Sequence, residues 1–419
     1  MCAMHSTKKT PFWLSSPFLY AVMIVLGISC GMSDIAFLKA LGFFIADVYI
    51  RIFKCISLPI IILSIIVTLS HYRSDGLMRS VWRRTMCYTL GTTLVAAAIS
   101  CLLYRLIQPG MVAVKQGTSA LPEVINSSGY FQHISHLIPE SFITPFLDNQ
   151  VLSVLFLGIV VGIAIRFIPD EPARHTITQF FRGAHGLFMV ITRWVIDIIP
   201  LGLFGFITTT VVQLRGGVDI KGIGEYLLII VLANLLQGFV VLPLWLKSHG
   251  IKPFLAMKGM LPALSLAFFS KSSVGALPVT MDTVEKNLNV RPEISRFVLP
   301  LCTSINMNGC AAFIFTTVVY LMQNHGLHVS LGTMLLWIVV ATVAAIGNAG
   351  IPMGCFFLSA SLLASMNIPI TLMGIILPFY SLIDMLETAL NVWSDSCVVK
   401  VVDEKSQQKN HTQVIVDLS

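Results

Sequence analysis

The alternation of long apolar runs with short polar connections predicts a membrane protein built from helices. Several runs reach the roughly 20 residues that a helix needs to cross a bilayer. The expected helices cover residues 12–33, 36–70, 79–108, 149–168, 184–214 and 222–247. The first run is too long and too uninterrupted for a cleaved signal peptide. The stretch Pro109–Asp148 is polar enough to be an extramembrane connection.

The apolar pattern changes after Ile251, where two segments are interrupted by Gly, Pro and polar residues. Leu261–Thr280 and Leu336–Leu363 each consist of an apolar arm, a polar turn and a second apolar arm. Such turns are tolerated at membrane depth only inside protein or beside water. A pair of them points to the binding site of a secondary transporter. A helix with polar residues follows each segment, so the pattern predicts two re-entrant hairpins that meet near the bilayer midplane.

The last apolar helix carries a stripe of polar residues. At spacings of 4, 3 and 4 residues, the stripe comprises Asp384, Thr388, Asn391 and Asp395. Glu387 lies just beside it, and at about 100° per residue these side chains point in nearly one direction. A carboxylate inside a bilayer is costly unless it meets a partner, an ion or water. The stripe therefore predicts a site for a cation and a polar solute.

The composition supports the membrane assignment and argues against nucleic-acid binding. Mean hydropathy is +0.84 and only 11% of residues are charged, whereas soluble domains carry about 25%. The positive residues cluster at the ends of apolar runs, as Lys8, Lys9, Arg73, Arg79, Arg83 and Arg84. We therefore interpret the net charge of +7 as membrane topology, with both termini in the cytoplasm.

Signatures of catalytic or metal-binding chemistry are absent from the sequence. The nine cysteines are scattered, and their spacing indicates neither a metal site nor a disulfide framework. We expect most of them, including Cys302 and Cys355, to be small apolar fillers of helices. The chain also lacks HExxH, GxSxG and Walker A motifs, which argues against an enzyme and against a pump driven directly by ATP.

Four motifs together resemble those of one transporter family. They are Lys271-Ser-Ser-Val-Gly-Ala-Leu-Pro-Val-Thr-Met281, Asn306-Met-Asn-Gly-Cys310, Ala345-Ile-Gly-Asn-Ala-Gly-Ile-Pro-Met-Gly354 and Asp384-Met-Leu-Glu-Thr-Ala-Leu-Asn-Val-Trp-Ser-Asp395. In this order they are similar to the first hairpin tip, the broken seventh helix, the second hairpin tip and the eighth helix of the dicarboxylate/amino acid:cation symporters. This is the glutamate-transporter-like, sodium:dicarboxylate symporter family, and the resemblance extends over nearly the whole chain.

The resemblance implies an all-α membrane protein with eight transmembrane helices and two re-entrant helical hairpins. It also implies a homotrimer with an elevator-type mechanism, in which a mobile transport part carries substrate past a scaffold. Residues 1–250 would form mainly scaffold and trimerisation helices, with helices three and six belonging to the transport part. Residues 251–402 would form the transport core with the binding site. The polar, charged composition of residues 403–419 separately predicts a disordered tail.

The resemblance also assigns a substrate site. Asp384 would accept a charge-assisted hydrogen bond from the ammonium group of an amino acid, although an ion pair with Lys271 would also explain it. Backbone N–H groups at the hairpin tips would hold the substrate carboxylate and close the gate. The tip residues are Ser272, Ser273, Asn348, Gly350 and Ile351, and the other substrate contacts are Thr388, Asn391, Glu387 and Cys310.

A second group of residues offers the oxygen ligands that hard cations prefer. Na⁺ is expected at Asn306, Asn391 and Asp395 with nearby backbone carbonyls, and Met307 is counted with them. The bland alternatives are an interhelical hydrogen bond for Asn391 and an exposed helix end for Asp395. Thr92, Thr93 and Asn308 match the family's deeper sodium site. Asn308 stands where the family has Asp, so one coupling ion is expected to be missing or replaced.

Glu387 is the main departure from the family. Members that transport acidic substrates usually have Arg there, which clamps the substrate's side-chain carboxylate, and Cys310 replaces a Thr that contacts substrate. Glu387 would repel a carboxylate, so a neutral or cationic amino acid is favoured. Three alternatives stay open. Lys271 supplies a counter-charge for an acidic substrate, Glu387 carries a proton in the site, or Glu387 forms a structural salt bridge with Lys271.

The sequence therefore predicts a symporter of an amino acid or related small organic solute, coupled to Na⁺ or H⁺, embedded in lipid and without a cofactor. The alternatives are a symporter of acidic amino acids or C4-dicarboxylates and, in another class, an anion-conducting channel. Paired hairpins beside a carboxylate stripe suit alternating access better than an open pore. Short termini and the lack of eukaryote-like insertions favour a bacterial inner membrane.

Overall fold

The protein is an assembly of packed α-helices. A computed structural model describes residues 16–70, 77–112, 138–147, 151–215, 221–348, 353–366, 368–369 and 371–417. Over these residues the chain contains no β-strand, which confirms the all-α prediction. Gly350 and Ile351, both assigned to the second hairpin tip, lie outside the described residues.

The helices before residue 250 follow most of the predicted bounds. They are α1 (Ser16–Met32), α2 (Ala36–Ser70), α3 (Leu77–Ile107), α4 (Thr144–Leu147), α5 (Val151–Arg166), α6 (Glu171–Asp197), α7 (Ile199–Arg215), α8 (Lys221–Leu236) and α9 (Leu242–Ser248). A single π-helical turn, Gln237–Val241, joins α8 to α9. The two form one continuous helical segment, as predicted for residues 222–247.

The predicted helix 184–214 is wrong, because two helices occupy this region. Helix α6 starts earlier, at Glu171, where the Asp170 carboxylate accepts a backbone N–H at 3.1 Å and caps the helix. It ends at Asp197, and α7 begins two residues later with Pro200 in its first turn. Proline is favoured there because a helix does not use that N–H, so this residue marks the start of a new helix.

The helices after residue 250 contain the two predicted interruptions. They are α10 (Pro253–Ser270), α11 (Ser273–Asn287), α12 (Pro292–Ile305), α13 (Asn308–Asn324), α14 (Leu331–Ala345), α15 (Gly354–Ser365) and α16 (Thr371–Asp417). The chain turns at Lys271, which has a left-handed backbone, so that α10 and α11 pack against each other. A 3₁₀ turn, Ile346–Asn348, ends α14 before α15 begins at Gly354. The first interrupted segment is therefore a helix–turn–helix unit, and in the second the described helices α14 and α15 lie on either side of residues 349–352.

Most of the helices pack in two groups, and the second is arranged around one central helix. In the first group α1, α2, α5, α6 and α7 contact one another. In the second, α13 packs against α3, α8, α14, α15 and α16. Every residue of α13 from Asn308 to Met322 is buried, so this helix forms the centre of the molecule. The groups meet where α2 contacts α15 and α7 contacts α16.

The outer surface is apolar, as expected for a protein in a bilayer. Within the described part of the chain, five helical segments are long and apolar enough to cross a membrane. They are Ser80–Ile107, Gly222–Ser248, Pro253–Ser270, Pro292–Asn324 and Leu331–Asn348. Large side chains such as Phe37, Phe44 and Leu244 are more than half exposed. These faces would be costly in water and suit contact with lipid.

Helix α16 continues beyond residue 402, through the segment predicted as a polar tail, to Asp417. Asp403 is fully buried and accepts a 2.7 Å hydrogen bond from Arg291 Nε. Ser406 is also buried. The segment contains neither Gly nor Pro, so no residue with a strong helix-breaking preference ends the helix at residue 402.

Candidate functional site

The chain leaves helical geometry between α12 and α13, at the centre of the molecule. Asn306 and Met307 have ψ angles of 65°, which ends α12 and starts α13 at Asn308. All three residues are buried. The break frees backbone and side-chain polar groups at the position where α13 meets α16, and the candidate site is built around it.

One half of the site is a network of amide, hydroxyl and carboxylate groups, which we call the amide network. Asn306 Nδ2 donates to Asp395 Oδ1 and to Ser394 Oγ, each at 2.9 Å. Asn308 Nδ2 donates to Asn306 Oδ1 at 2.9 Å, and the Thr92 hydroxyl donates to the same oxygen at 3.0 Å. Four of the predicted cation ligands are thus brought together. Asp395 is buried, so its alternative interpretation as an exposed helix end is wrong.

The amide network includes two residues that were not among the predicted ligands, Gln237 and Ser394. Gln237 Nε2 donates to Asn308 Oδ1 at 2.7 Å and to the Thr92 carbonyl at 3.1 Å. Gln237 begins the π-helical turn after α8, and such turns are frequent at functional sites. A glutamine inside an otherwise apolar run was the available sequence signal. Ser394 could have been found from its place beside Asp395.

The remaining predicted cation ligands are buried but bonded differently. Thr93 Oγ1 has no hydrogen-bond partner among the described residues. Asn391 Oδ1 accepts the Gly309 N–H at 2.9 Å, so this side chain does make the alternative interhelical bond. The Met307 carbonyl accepts the Ala311 N–H at 3.0 Å in the first turn of α13. None of these three side chains is hydrogen-bonded to Asp395 in the described part of the chain.

The other half of the site surrounds Asp384. Its Oδ2 accepts the Met353 N–H at 3.0 Å, which connects α16 to the turn before α15. Thr388 donates its hydroxyl to the Asp384 carbonyl at 2.7 Å, so Thr388 is engaged with its own helix. Lys271 Nζ donates to Ser381 Oγ, one turn before Asp384. The first hairpin turn and the second hairpin therefore both approach the beginning of the polar stripe.

The two serines of the first hairpin turn have separate positions. Ser272 caps α11 by accepting the Gly275 N–H at 3.0 Å, and Ser273 is buried. Lys271 is half-buried. Within the described residues it makes no ion pair with Asp384 or Glu387 at 4 Å or less. The predicted structural salt bridge between Glu387 and Lys271 is therefore wrong, as is the direct Asp384–Lys271 ion pair.

Glu387 lies at the closest approach of α13 and α16 and is 1% exposed. Its Oε2 accepts a 3.3 Å hydrogen bond from the Tyr380 hydroxyl, whereas Oε1 has no partner among the described residues. A Cβ atom at Gly309 would lie 2.7 Å from the Glu387 Cα, so only glycine fits this contact. Tyr380 was not predicted, because its partner lies seven residues away on the same helix and its ring packs among other aromatic rings.

Cys310 and Cys355 form a disulfide that the sequence did not predict. The prediction that Cys355 is an apolar filler and that the cysteines form no disulfide is therefore wrong. The two residues are 45 positions apart, and only the packing of α13 against α15 brings them together. Asn348 Nδ2 also donates to Cys310 Sγ, at 2.9 Å. Gly354 allows this arrangement, because a Cβ there would lie 1.6 Å from Asn348 Oδ1.

Comparison with known proteins identifies the kind of protein that carries this site. Residues 18–405 match the profile of the sodium:dicarboxylate symporter family. The chain belongs to this family. The sodium:dicarboxylate symporters are membrane transporters, so the helical architecture is that of a multi-pass integral membrane protein.

Individual relatives of this symporter chain are distant but match over most of their length. It is 27% identical over 411 residues to a putative sodium-dependent excitatory amino acid transporter of Caenorhabditis elegans, covering 86% of this chain and 82% of the relative. It is 26% identical to the neutral amino acid transporter B(0) of Oryctolagus cuniculus, covering 90% and 78%. The human neutral amino acid transporter B(0) is 27% identical with the same coverage.

Proposed function

We propose that this protein is a Na⁺-coupled symporter of a neutral or cationic amino acid. The observation that carries the proposal is the buried Glu387 carboxylate, one turn of helix from the buried Asp384 carboxylate. Among the described residues, two carboxylates and no guanidinium line this side of the site. The match to neutral amino acid transporters supports the same substrate class.

In this proposal the two acids have separate roles. Asp384 accepts hydrogen bonds from the α-ammonium of the substrate, replacing or sharing its present donor, the Met353 N–H. Glu387 faces the substrate side chain, where its unpaired Oε1 would accept from a hydroxyl or an ammonium and repel a carboxylate. Ser272, Ser273 and the second hairpin tip would hold the α-carboxylate. Cys310, Thr388 and Asn391 would complete the walls of the site.

The coupling cation is proposed to bind in the amide network. Asp395 supplies the negative charge, and Asn306, Asn308 and Thr92 supply neutral oxygens, which is the donor set that a hard monovalent cation prefers. The sodium-dependent relative supports Na⁺ as the ion. A cation on Asp395 Oδ1 would compete with the Asn306 amide that now donates to it. Proton coupling through Glu387 is the alternative.

We also propose the family's larger architecture for this chain. It would have eight transmembrane helices, two re-entrant hairpins (α10–α11 and α14–α15), cytoplasmic termini and a trimeric elevator mechanism. The division of the helices into two packing groups supports a scaffold, mostly within residues 1–250, and a transport core within residues 251–402. The proposed location is a bacterial inner membrane.

An acidic amino acid is the second candidate substrate. Two observations favour it: the match to an excitatory amino acid transporter, and the position of Lys271 beside Ser381, one turn from Asp384. In that case Lys271 would turn toward the substrate's side-chain carboxylate. An anion channel is the alternative class, since a channel would conduct without stoichiometric uptake of a solute.

Uptake into proteoliposomes tests the proposal. The purified protein would be reconstituted and given radiolabelled serine, alanine, arginine or aspartate under an inward Na⁺ gradient, with K⁺ replacing Na⁺ as control. A proton gradient, collapsed by a protonophore in a parallel sample, separates H⁺ from Na⁺ coupling. Na⁺-driven uptake of a neutral or cationic amino acid without aspartate supports the proposal. Strong aspartate uptake, or currents without accumulation, contradicts it.

A further inference from the structure

Two cysteines and a carboxylate meet beside the candidate substrate site. The Sγ atoms of Cys310 and Cys355 and a carboxylate oxygen of Glu387 all lie within 4.8 Å of one another. Each side chain is at least 98% buried. They come from α13, α15 and α16, so the packing of three helices, and no local sequence motif, creates this cluster. We call it the thiol cluster.

The thiol cluster contains a carboxyl group whose oxygens have few partners among the described residues. Oε1 of Glu387 has no hydrogen-bond partner, and the only described bond to Oε2 is a long one from a tyrosine hydroxyl. Lys271, at the first hairpin turn, donates to Ser381 Oγ. A buried carboxylate oxygen without a donor is costly, most of all in a membrane. A cation bound between the Glu387 carboxylate and the two sulfur atoms would reduce that cost.

We propose that Cys310, Cys355 and Glu387 bind a borderline-soft divalent metal ion such as Zn²⁺ when the two cysteines are reduced. Thiolate sulfur and carboxylate oxygen are both zinc ligands, at about 2.3 Å and 2.0–2.2 Å. In a tetrahedral site such ligand atoms are roughly 3.5–3.8 Å apart, which lies within the 4.8 Å that spans the thiol cluster. Three protein ligands leave a fourth position for water or another ligand.

The neighbouring amides fit this assignment. Asn348 Nδ2 and Asn391 Nδ2 donate to Cys310 Sγ at 2.9 and 3.4 Å. Hydrogen bonds of this kind stabilise a thiolate and orient a metal ligand. The Met307 thioether lies beside the same two amides, at 3.8 and 3.5 Å, and adds a third sulfur atom next to the cluster. Three sulfur atoms therefore lie at or beside the cluster. A site for Na⁺ alone would be expected to offer oxygen atoms, because hard cations select oxygen.

The disulfide is the oxidised form of the thiol cluster, and metal binding requires its reduction. A phosphine together with water transfers two electrons and two protons to the disulfide, which gives two thiols and a phosphine oxide. Zn²⁺ then replaces both thiol protons, which are released to solvent, because the thiolate is the metal ligand. Metal affinity is therefore expected only after reduction and is expected to fall as the pH falls.

A metal titration of the full-length protein tests this inference without any transport measurement. The protein in detergent would be treated with a chelator, freed of it, and reduced with a phosphine. Zn²⁺ affinity would come from competition with a chromophoric chelator, and Cd²⁺ would serve as a probe with an ultraviolet thiolate-to-metal band. We expect one equivalent of bound Zn²⁺ and a Cd²⁺ band in the reduced protein, and neither in the disulfide form.

Variants locate the site and separate metal binding from misfolding. Cys355→Ser is expected to lose the bound equivalent, whereas Glu387→Gln is expected to weaken Zn²⁺ binding and keep the Cd²⁺ band of two thiolates. Cys302→Ser and Cys397→Ser are matched controls, because both cysteines are buried elsewhere, and should leave binding unchanged. Absence of binding in the reduced protein, or loss of binding in a control and not in Cys355→Ser, would overturn the inference. Neither result bears on amino acid uptake.

Discussion

Asn306 Nδ2 lies 2.9 Å from Asp395 Oδ1, and this hydrogen bond ties the break before α13 to the last helix. The bond uses the amide nitrogen, which carries partial positive charge, to satisfy a buried carboxylate. If the side-chain amide of Asn306 rotates by about half a turn, its oxygen replaces its nitrogen at this position. Asn306 could then act as a ligand of a cation. If the coupling ion binds at Asp395, as we propose, it would compete with the present hydrogen bond from Asn306.

The Asp395→Asn variant is expected to lose Na⁺ dependence. Asp395 is the only carboxylate among the described residues of the amide network, and asparagine keeps its shape while removing the charge. We expect Na⁺-driven uptake to fall to the level seen with K⁺ in proteoliposomes. Asp282→Asn is the matched control, because Asp282 is exposed in an ion pair with Lys286 and should transport normally. Unchanged Na⁺ dependence in Asp395→Asn would remove Asp395 from the ion site.

The Asn308→Asp variant is expected to strengthen cation coupling. It places a second carboxylate next to Thr92 and Gln237, where the Gln237 amide already donates to the residue 308 side-chain oxygen at 2.7 Å. The added charge should raise Na⁺ affinity and steepen the dependence of uptake on Na⁺ concentration. Initial uptake rates measured across a Na⁺ series check this. A Na⁺ curve identical to that of the wild type would show that the charge at residue 308 does not set the number of coupled ions.

The Glu387→Arg variant is expected to change the preferred substrate from a neutral or cationic amino acid to an acidic one. Arg offers a bidentate fork to a carboxylate and repels a cation, so aspartate uptake should appear while uptake of the native neutral or cationic substrate falls. Competition against the labelled native substrate measures both effects. Glu293→Arg, an exposed substitution of the same kind on α12, is the control. If the variant keeps the native selectivity, Glu387 does not contact the substrate side chain.

The Gly309→Ala variant is expected to destabilise the protein by about 1–3 kcal/mol, the usual cost of overpacking a core. Its Cβ would lie 2.7 Å from the Glu387 Cα and 2.8 Å from Asn234 Oδ1, and backbone cannot move aside cheaply. Gly224→Ala is the matched control, because a Cβ there meets no atom within 4 Å. Thermal unfolding of the purified variants should show a Tm lower than that of the wild type for Gly309→Ala only. Equal Tm values would contradict the close approach of α13 and α16.

The Arg291→Met variant is expected to cost about 3 kcal/mol, the lower end for breaking a buried ion pair. Asp403 is fully buried and would be left without its cation, although Arg291 itself is one-third exposed. Lys286→Met breaks an exposed pair and should cost less than about 1 kcal/mol. Chemical denaturation of both variants measures the difference. A loss no larger than that of the control would mean that solvent satisfies Asp403.

The interruptions and the polar stripe were predictable because they are local features. Gly, Pro and charged residues stand out against apolar runs, and the stripe follows from the helical repeat alone. The Cys310–Cys355 disulfide was not predictable, and a glutamine in an apolar run marks Gln237 without indicating its partners, because both depend on how helices distant in sequence pack. Periodicity likewise gave no reason to extend α16 beyond residue 402, since burial of Asp403 depends on Arg291, 112 residues away.

Helix α16 carries the polar stripe in its middle and continues, without interruption, to Asp417. Its 47 residues make a rod of about 70 Å, more than twice the roughly 30 Å of a hydrocarbon layer. Any displacement of the stripe across the bilayer must therefore appear at the far end of the same rod, in the aqueous phase. A fluorescent label near the C-terminal end of α16 would therefore report movement of the polar stripe without perturbing the candidate substrate site.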